Sequence, residues 1–482
     1  MHNTRSLSRK TLGWLPRLAL TLLLALLILA PPFLPAGSAD AAPAPGATDV
    51  TFTGGNGLTL HGTVIAPAAP HSDTPGIVLV GGSGPGPRAE YRAEADAFAA
   101  AGITTLIYDK RTTGYSHTHR DFSLLADDAL GAVENLRRTP GVRADQVGLW
   151  GFSEGGWVAP LAASRSGDVA FLVTLGAPGF TPLRTQTWSL AETLRHRGDT
   201  GPLAGDVAGP AARLIGETGV FPEAAFDPLP ALRALRIPVL ALWGDHDVQV
   251  PPAESAAVLR NTLTASPSVT IRFITGGAHG GRMTGDGFDR LGVAPDPGAP
   301  PGAFAPGYLD TMTTWVNQVA AGAPPASTAD RPPVQHVSSI DPGHGWWTSA
   351  RTQSIVLAAL VLAFLGYLLM SFGDRRSRIA RWSARLLAVS GLISLVATVG
   401  YVESILATDA QTVGPMAASR PVVWLILQLL ALITVALLAV TATSAVRGRG
   451  SAAAVPRIRL GVLLIAVCAW VAWAITWGLF AL

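Results

Sequence analysis

The chain has 482 residues, of which 49% are hydrophobic and only 14% charged, and its formal net charge is +3. The apolar excess is concentrated at the two ends, so the middle reads as a water-soluble domain and the ends as membrane-directed. No basic run interleaves with aromatics in the middle, which argues against a nucleic-acid surface, and the single cysteine, Cys468, excludes an intramolecular disulfide.

Residues 1–41 read as a signal peptide or an uncleaved N-terminal anchor. Arg5, Arg9, Lys10 and Arg17 precede the apolar run 18–30, and Ala39-Asp40-Ala41 offers a small-residue cleavage site. A soluble domain is expected over 49–322. The segments 51–53 and 58–64, separated by Gly-Gly-Asn-Gly, predict an antiparallel hairpin. Apolar runs at 76–80, 104–109, 147–152, 171–175, 237–243 and 269–274 predict strands, and helical patterns at 90–101 and 124–138 alternate with them. Such alternation implies a mostly parallel sheet with helices on both faces. Residues 180–230 lack a clean period and are expected to form an inserted cap, and a last helix is expected over 308–320. A proline-containing linker at 323–350 then leads to a membrane domain, 351–482.

Four apolar stretches, 354–373, 386–407, 421–446 and 460–482, are each about 20 residues or longer, enough for a bilayer core of about 30 Å. Arg375, Arg376, Arg378, Arg381 and Arg385 follow the first, and Arg447, Arg449, Arg457 and Arg459 follow the third. Thr408 to Arg420, between the second and third, holds one arginine. Arginine-rich loops stay in the cytoplasm, so the soluble domain and the C-terminus are expected outside. Trp424, Trp470, Trp473 and Trp477 read as packing or interface residues.

The chemistry is expected at Gly151-Phe152-Ser153-Glu154-Gly155, which fits the G-x-S-x-G turn between a strand and a helix. Glycines flank the serine because the turn leaves no room for larger side chains. A serine hydroxyl is a weak nucleophile and needs a base to take its proton. His279, in Gly276-Gly277-Ala278-His279-Gly280-Gly281 directly after the strand 269–274, is the candidate base. Of the two acids in Gly244-Asp245-His246-Asp247, Asp247 is preferred as the residue that orients the imidazole, and Asp245 is read as a loop cap. His246, His117 and His119 read as solvated loop residues. An oxyanion hole requires backbone donors: one is expected from Glu154, after the nucleophile, and one from the glycine loop after 76–80, with Ser83 first and Gly82 second. The Glu154 carboxylate would have to point away from a developing negative charge.

These motifs, with Gly82-Ser83-Gly84-Pro85 and Tyr108-Asp109-Lys110-Arg111, resemble the α/β-hydrolase superfamily, near its bacterial esterase and serine-peptidase-like branch, over about residues 50–322. Relatives often carry His-Gly at the start of the oxyanion loop, where this chain has Gly81. The resemblance implies an α/β-hydrolase fold with a cap, and an ion-paired structural turn at Asp109-Lys110-Arg111. It implies carboxylic ester hydrolysis through an acyl-enzyme, with amide, peptide or thioester cleavage as the alternative. A small-molecule ester or acyl substrate and the lipid bilayer are the expected partners, and no metal or organic cofactor is implied. The competing class is a non-catalytic sensor or scaffold on a membrane module.

Overall fold

The computed structural model describes residues 46–481 except 69–72, 117, 292–301, 344, 373–380 and 448–453. The signal or anchor segment, His117 and most of the two arginine-rich connections lie outside the described residues. The chain forms two compact units. One comprises Ser38–Glu192 with Thr218–Asp341, and the other includes Thr193–Glu217 and Pro342–Leu482.

The first unit is built on a nine-stranded sheet. Its strands are β1 (Ala47–Thr53), β2 (Thr59–Ile65), β3 (Thr74–Val80), β4 (Thr104–Tyr108), β5 (Val142–Phe152), β6 (Leu172–Leu175), β7 (Val239–Gly244), β8 (Val269–Ile274) and β9 (Thr328–Ala329). The spatial order is β1-β2-β4-β3-β5-β6-β7-β8-β9. β1, β2 and β4 pair antiparallel, and every pair from β4 to β9 is parallel. The central strands are apolar on both faces because both faces are covered. Ile77, Val78, Leu106, Leu149, Leu172, Leu240 and Trp243 are fully buried.

Helices α1 (Arg92–Ala100), α2 (Phe122–Arg137), α3 (Gly155–Arg165), α4 (Pro182–His196), α5 (Ala208–Thr218), α6 (Leu229–Ala234), α7 (Pro252–Thr262) and α8 (Tyr308–Ala320) follow in chain order. α2 and α3 pack with Val78, Leu106 and Leu149 on one face of the sheet. α1 and α8 close the other face over Ile77, Leu79, Trp150 and Val173. The expected alternation is therefore present. The region that lacked a clean period is helical, through α4, α5 and α6.

The proline-containing segment after α8 is tied to this unit as far as Asp341. β9 pairs with β8, Trp188 Nε1 donates to Val337 O at 2.9 Å, and the Glu254 carboxylate accepts from Gln335 Nε2 and Ser339 N, both at 2.9 Å. Proline removes backbone donors, so the segment runs extended and is held by side chains from α4 and α7.

The second unit contains α9 (Ala350–Phe372), α10 (Arg381–Ala407), α11 (Val422–Arg447) and α12 (Ala454–Thr476). All four are long and apolar enough to cross a membrane, with spans of 22, 26, 26 and 20 residues. Large apolar side chains such as Leu362, Leu369, Ile426 and Ile465 are exposed on them, as helices facing lipid require. Gln353 is buried, and its Oε1 accepts from both Trp473 Nε1 and Trp477 Nε1 at 3.1 Å.

The same unit contains Thr193–Glu217, from the region expected to be the cap. Thr200 N donates to Ser419 O at 3.1 Å, in the turn between β10 (Met416–Ala417) and β11 (Arg420–Pro421). Arg197 Nη2 donates to Gln411 Oε1 at 3.0 Å. Arg213 Nη1 donates to Gly345 O and to Thr348 Oγ1, both at 2.7 Å, just before α9. Gln428 Nε2 donates to Ala481 O at 2.7 Å, beyond α12. The start of α9, the α10–α11 loop and the C-terminal turn therefore lie at one end of the helical unit, together with this segment.

Candidate active site

The parallel strands deliver their C-terminal ends to one edge of the sheet, where open α/β sheets bind ligands. β3 and β5 are neighbours there, with Val80 paired to Gly151, so the loop after β3 and the turn after β5 emerge side by side. Ser153 occupies that turn with φ of 53°, a left-handed conformation unusual for a residue with a side chain. Its amide donates to Leu175 O at 3.0 Å, which fixes the turn against β6. α3 begins at Gly155, where a Cβ would lie 2.3 Å from Val80 O. Only glycine allows the helix to start so close to β3.

β7 and β8 supply the other two groups. His279 Nδ1 lies 2.8 Å from Asp247 Oδ2, and both residues are buried. Asp247 Oδ1 accepts from Gln249 N and Val250 N, each at 2.9 Å, so the carboxylate is fixed on both oxygens. Asp245 instead caps the loop, with Oδ1 accepting from Gly276 N at 2.8 Å. His246 and His119 stay at the surface. His279 Nε2 is buried and has no hydrogen-bond partner among the described residues. Its ring lies 5.0 Å from that of Phe152, the residue before the serine. A Cβ at Gly176, immediately after β6, would lie 2.6 Å from His279 Cε1, so that glycine makes room for the imidazole.

The loop after β3 presents three successive amides. Gly82 N donates to Tyr91 Oη at 2.8 Å and Gly84 N to Tyr115 Oη at 2.9 Å. Gly82, read from sequence as the second choice of oxyanion donor, thus has its amide occupied. Ser83 N, between them, has no acceptor among the described residues, and the same holds for Glu154 N at the start of α3.

The Glu154 side chain is buried under the site. Arg120 Nη1 donates to Oε2 at 2.8 Å, and Tyr115 Oη and Lys110 Nζ both donate to Oε1. Burial pulls the Lys110 amine below its ordinary pKa, and the Glu154 charge partly restores it. Burial raises the Tyr115 phenol well above its ordinary value, and the neighbouring Glu154 charge adds to this, so Tyr115 stays a neutral donor. The other members of the Asp109-Lys110-Arg111 turn are also ion-paired. Arg88 Nη1 meets Asp109 Oδ2 at 2.7 Å, and Arg111 Nη2 meets Asp128 Oδ1 at 2.5 Å.

Sequence reasoning did not find Tyr91, Tyr115 or Arg120. One signal was available: a glutamate next to a buried turn requires a cation, and Lys110 is one of only two lysines in an arginine-rich chain.

Two antiparallel strands leading into a parallel sheet, a strained serine turn after β5, an acid after β7 and a histidine after β8 together decide the architecture. The sheet unit has the α/β-hydrolase fold. Residues 90–291 match the Prolyl oligopeptidase family. Among solved structures, the chain is similar to a 2,6-dihydroxy-pseudo-oxynicotine hydrolase (18% identity, 59% of this chain and 71% of that one, TM-score 0.41). It is also similar to a Pyrococcus furiosus esterase (16% identity, 50% and 88%, TM-score 0.37). A third is a putative dipeptidyl aminopeptidase IV from Bacteroides ovatus (17% identity, 56% and 35%, TM-score 0.38). No curated protein matches the sequence. The α/β-hydrolase unit is of the serine-hydrolase type, and no family was found for the helical region.

Proposed function

We propose that this protein is a membrane-bound serine hydrolase that cleaves carboxylic esters through an acyl-enzyme on Ser153. The observation that carries the reading is the buried His279–Asp247 pair at 2.8 Å, whose second imidazole nitrogen has no hydrogen-bond partner among the described residues and lies beside the serine turn. In the first step His279 Nε2 takes the Ser153 proton as Oγ attacks the ester carbonyl. Asp247 holds the other nitrogen protonated and stabilises the imidazolium. The amides of Ser83 and Glu154 receive the oxyanion. Collapse expels the alcohol, protonated by His279, and leaves the acyl group on Ser153. Water, deprotonated by the same imidazole, then releases the acid and restores the serine.

The placement of the α/β-hydrolase unit outside the cytoplasm rests on charge. The cap segment Thr193–Glu217 packs at the same end of the helical unit as the arginine-poor α10–α11 loop. Arg385, which bonds Ser371, Arg459, which bonds Met370 O, and Arg447, at the end of α11, lie toward the opposite end, which the positive-inside bias assigns to the cytoplasm.

A second reading, amide or peptide cleavage by the same residues, is favoured by the match to the Prolyl oligopeptidase family. A panel of p-nitrophenyl esters and aminoacyl p-nitroanilides, assayed with the full chain in detergent, separates the two. The ester reading predicts kcat/KM at least about 10²-fold higher for the best ester than for the best anilide. Anilide turnover equal to or above ester turnover would move the assignment to the second reading.

A further inference from the structure

Glu154 is doubly placed in this site. Its amide belongs to the start of α3, and its carboxylate, only 1% exposed, lies beneath the loop after β3. Two of its three side-chain partners continue into that loop. Lys110 Nζ, which donates to Glu154 Oε1, also donates to Gly82 O at 2.5 Å. Tyr115 Oη, which donates to Glu154 Oε1 at 2.8 Å, accepts from Gly84 N at 2.9 Å. Tyr91 Oη takes the Gly82 amide from the other side. Gly82 is thus held at both its N–H and its C=O, and Gly84 at its N–H, while Ser83 N between them has no acceptor among the described residues.

An oxyanion hole works only if its donors are fixed before charge develops. Glycine loops are intrinsically free in φ and ψ, so something must supply the rigidity. We infer that the Glu154 carboxylate, acting through Lys110 and Tyr115, is a positioning group that sets the Ser83 amide at the fixed distance from the Glu154 amide that the oxyanion requires. The inference rests on the serine-hydrolase reading and adds to it a role for side chains that never touch substrate. The arrangement also answers the electrostatic objection to a glutamate next to the nucleophile. Two cations, Lys110 and Arg120, face one carboxylate. The Glu154 carboxylate is therefore ion-paired rather than left as a bare charge beside the developing oxyanion.

A merely structural ion pair makes a different prediction from a positioning device. Breaking a buried pair on one side leaves an uncompensated charge, whereas removing both charges relieves that cost. The test therefore uses the full chain carrying Glu154→Gln, Lys110→Met and the double substitution, with p-nitrophenyl butyrate as substrate and phenylboronic acid as the tetrahedral analogue. The expected result is a kcat lowered about 10²-fold in the double variant, with KM within about threefold of the parent. Boronate affinity should fall in parallel with kcat/KM. Lys110→Arg, which keeps a donor, should recover part of kcat. A double variant with parental kcat and parental boronate affinity would overturn the inference while leaving Ser153 as the nucleophile. Loss of kcat without loss of boronate affinity would overturn it as well. Absence of Ser153-dependent turnover in the parent protein would remove the catalytic reading and this inference together.

Discussion

At His279 the two ring nitrogens meet different surroundings, and the proposed chemistry rests on this asymmetry. Nδ1 faces a carboxylate already fixed by two backbone amides, while Nε2 is buried without a hydrogen-bond partner among the described residues. A base must be held in one tautomer to accept a proton on the other nitrogen. Asp247→Asn should lower kcat by about 10⁴-fold at neutral pH, because the imidazole is then held in the wrong tautomer. Asp245→Asn removes only a loop cap to Gly276 N and should cost far less. Steady-state kinetics of the two variants check this, and the reverse ranking would contradict it. The residues of this constellation could be read from the sequence because each follows a recognisable strand at a fixed offset. Glu154's partners could not be read so. Lys110 lies 44 residues from Glu154 and Tyr115 lies 39 away. They meet only because β4 and β5 flank β3.

Elements are joined here by buried ion pairs as well as by the core. Arg111 and Asp128 are 4% and 1% exposed, and together they hold the turn between β1 and β2 through Gly55. Asp128 Oδ1 accepts from Gly55 N at 2.9 Å, so this acid on α2 anchors the hairpin from a distance of 73 residues. Asp128→Ala leaves Arg111 buried and uncompensated and should cost about 3–5 kcal/mol, a fall on the order of 10 °C in the unfolding midpoint of this unit. Replacing both, with Asp128→Leu and Arg111→Met, should recover much of the loss, and calorimetry of the purified protein measures both. An unchanged midpoint in Asp128→Ala would contradict the account. At this scale the alternating strands and helices were legible because apolar runs and helical periods alternate cleanly. The region expected to be the cap was not, since α4 is buried around most of its surface and several of those positions, Thr185, Thr187, Ser189 and Thr193, are polar, which blurs its apolar period. The segment after α8 reads as a linker because its prolines remove backbone donors. Nothing local shows that Trp188, Arg184 and Glu254 hold it.

Among the described residues the chain passes three times between the hydrolase-type sheet unit and the unit of four apolar helices, twice inside the region expected to be the cap (after Glu192 and after Glu217) and once after Asp341. The spans and their charge bias were plain in the sequence, because twenty apolar residues and a cluster of arginines are strong signals. The grouping of Thr193–Glu217 with the helices was not, because it depends on polar contacts such as Thr200 with Ser419 and Arg213 with Thr348. In a Cys468→Ala background, a cysteine introduced at Gln411 should react with an impermeant maleimide in intact cells, and one at Ser451 should not. Labelling at Ser451 alone would invert the proposed orientation.

The central claim is that Ser153 is an activated nucleophile, and a fluorophosphonate tests it most directly. Incubation of the full chain with the probe, followed by mass spectrometry of its peptides, should place a single adduct on Ser153. The adduct should be absent from Ser153→Ala and slowed by orders of magnitude in His279→Ala. A folded parent protein that stays unlabelled, or one that carries the adduct on a different serine, would contradict the account.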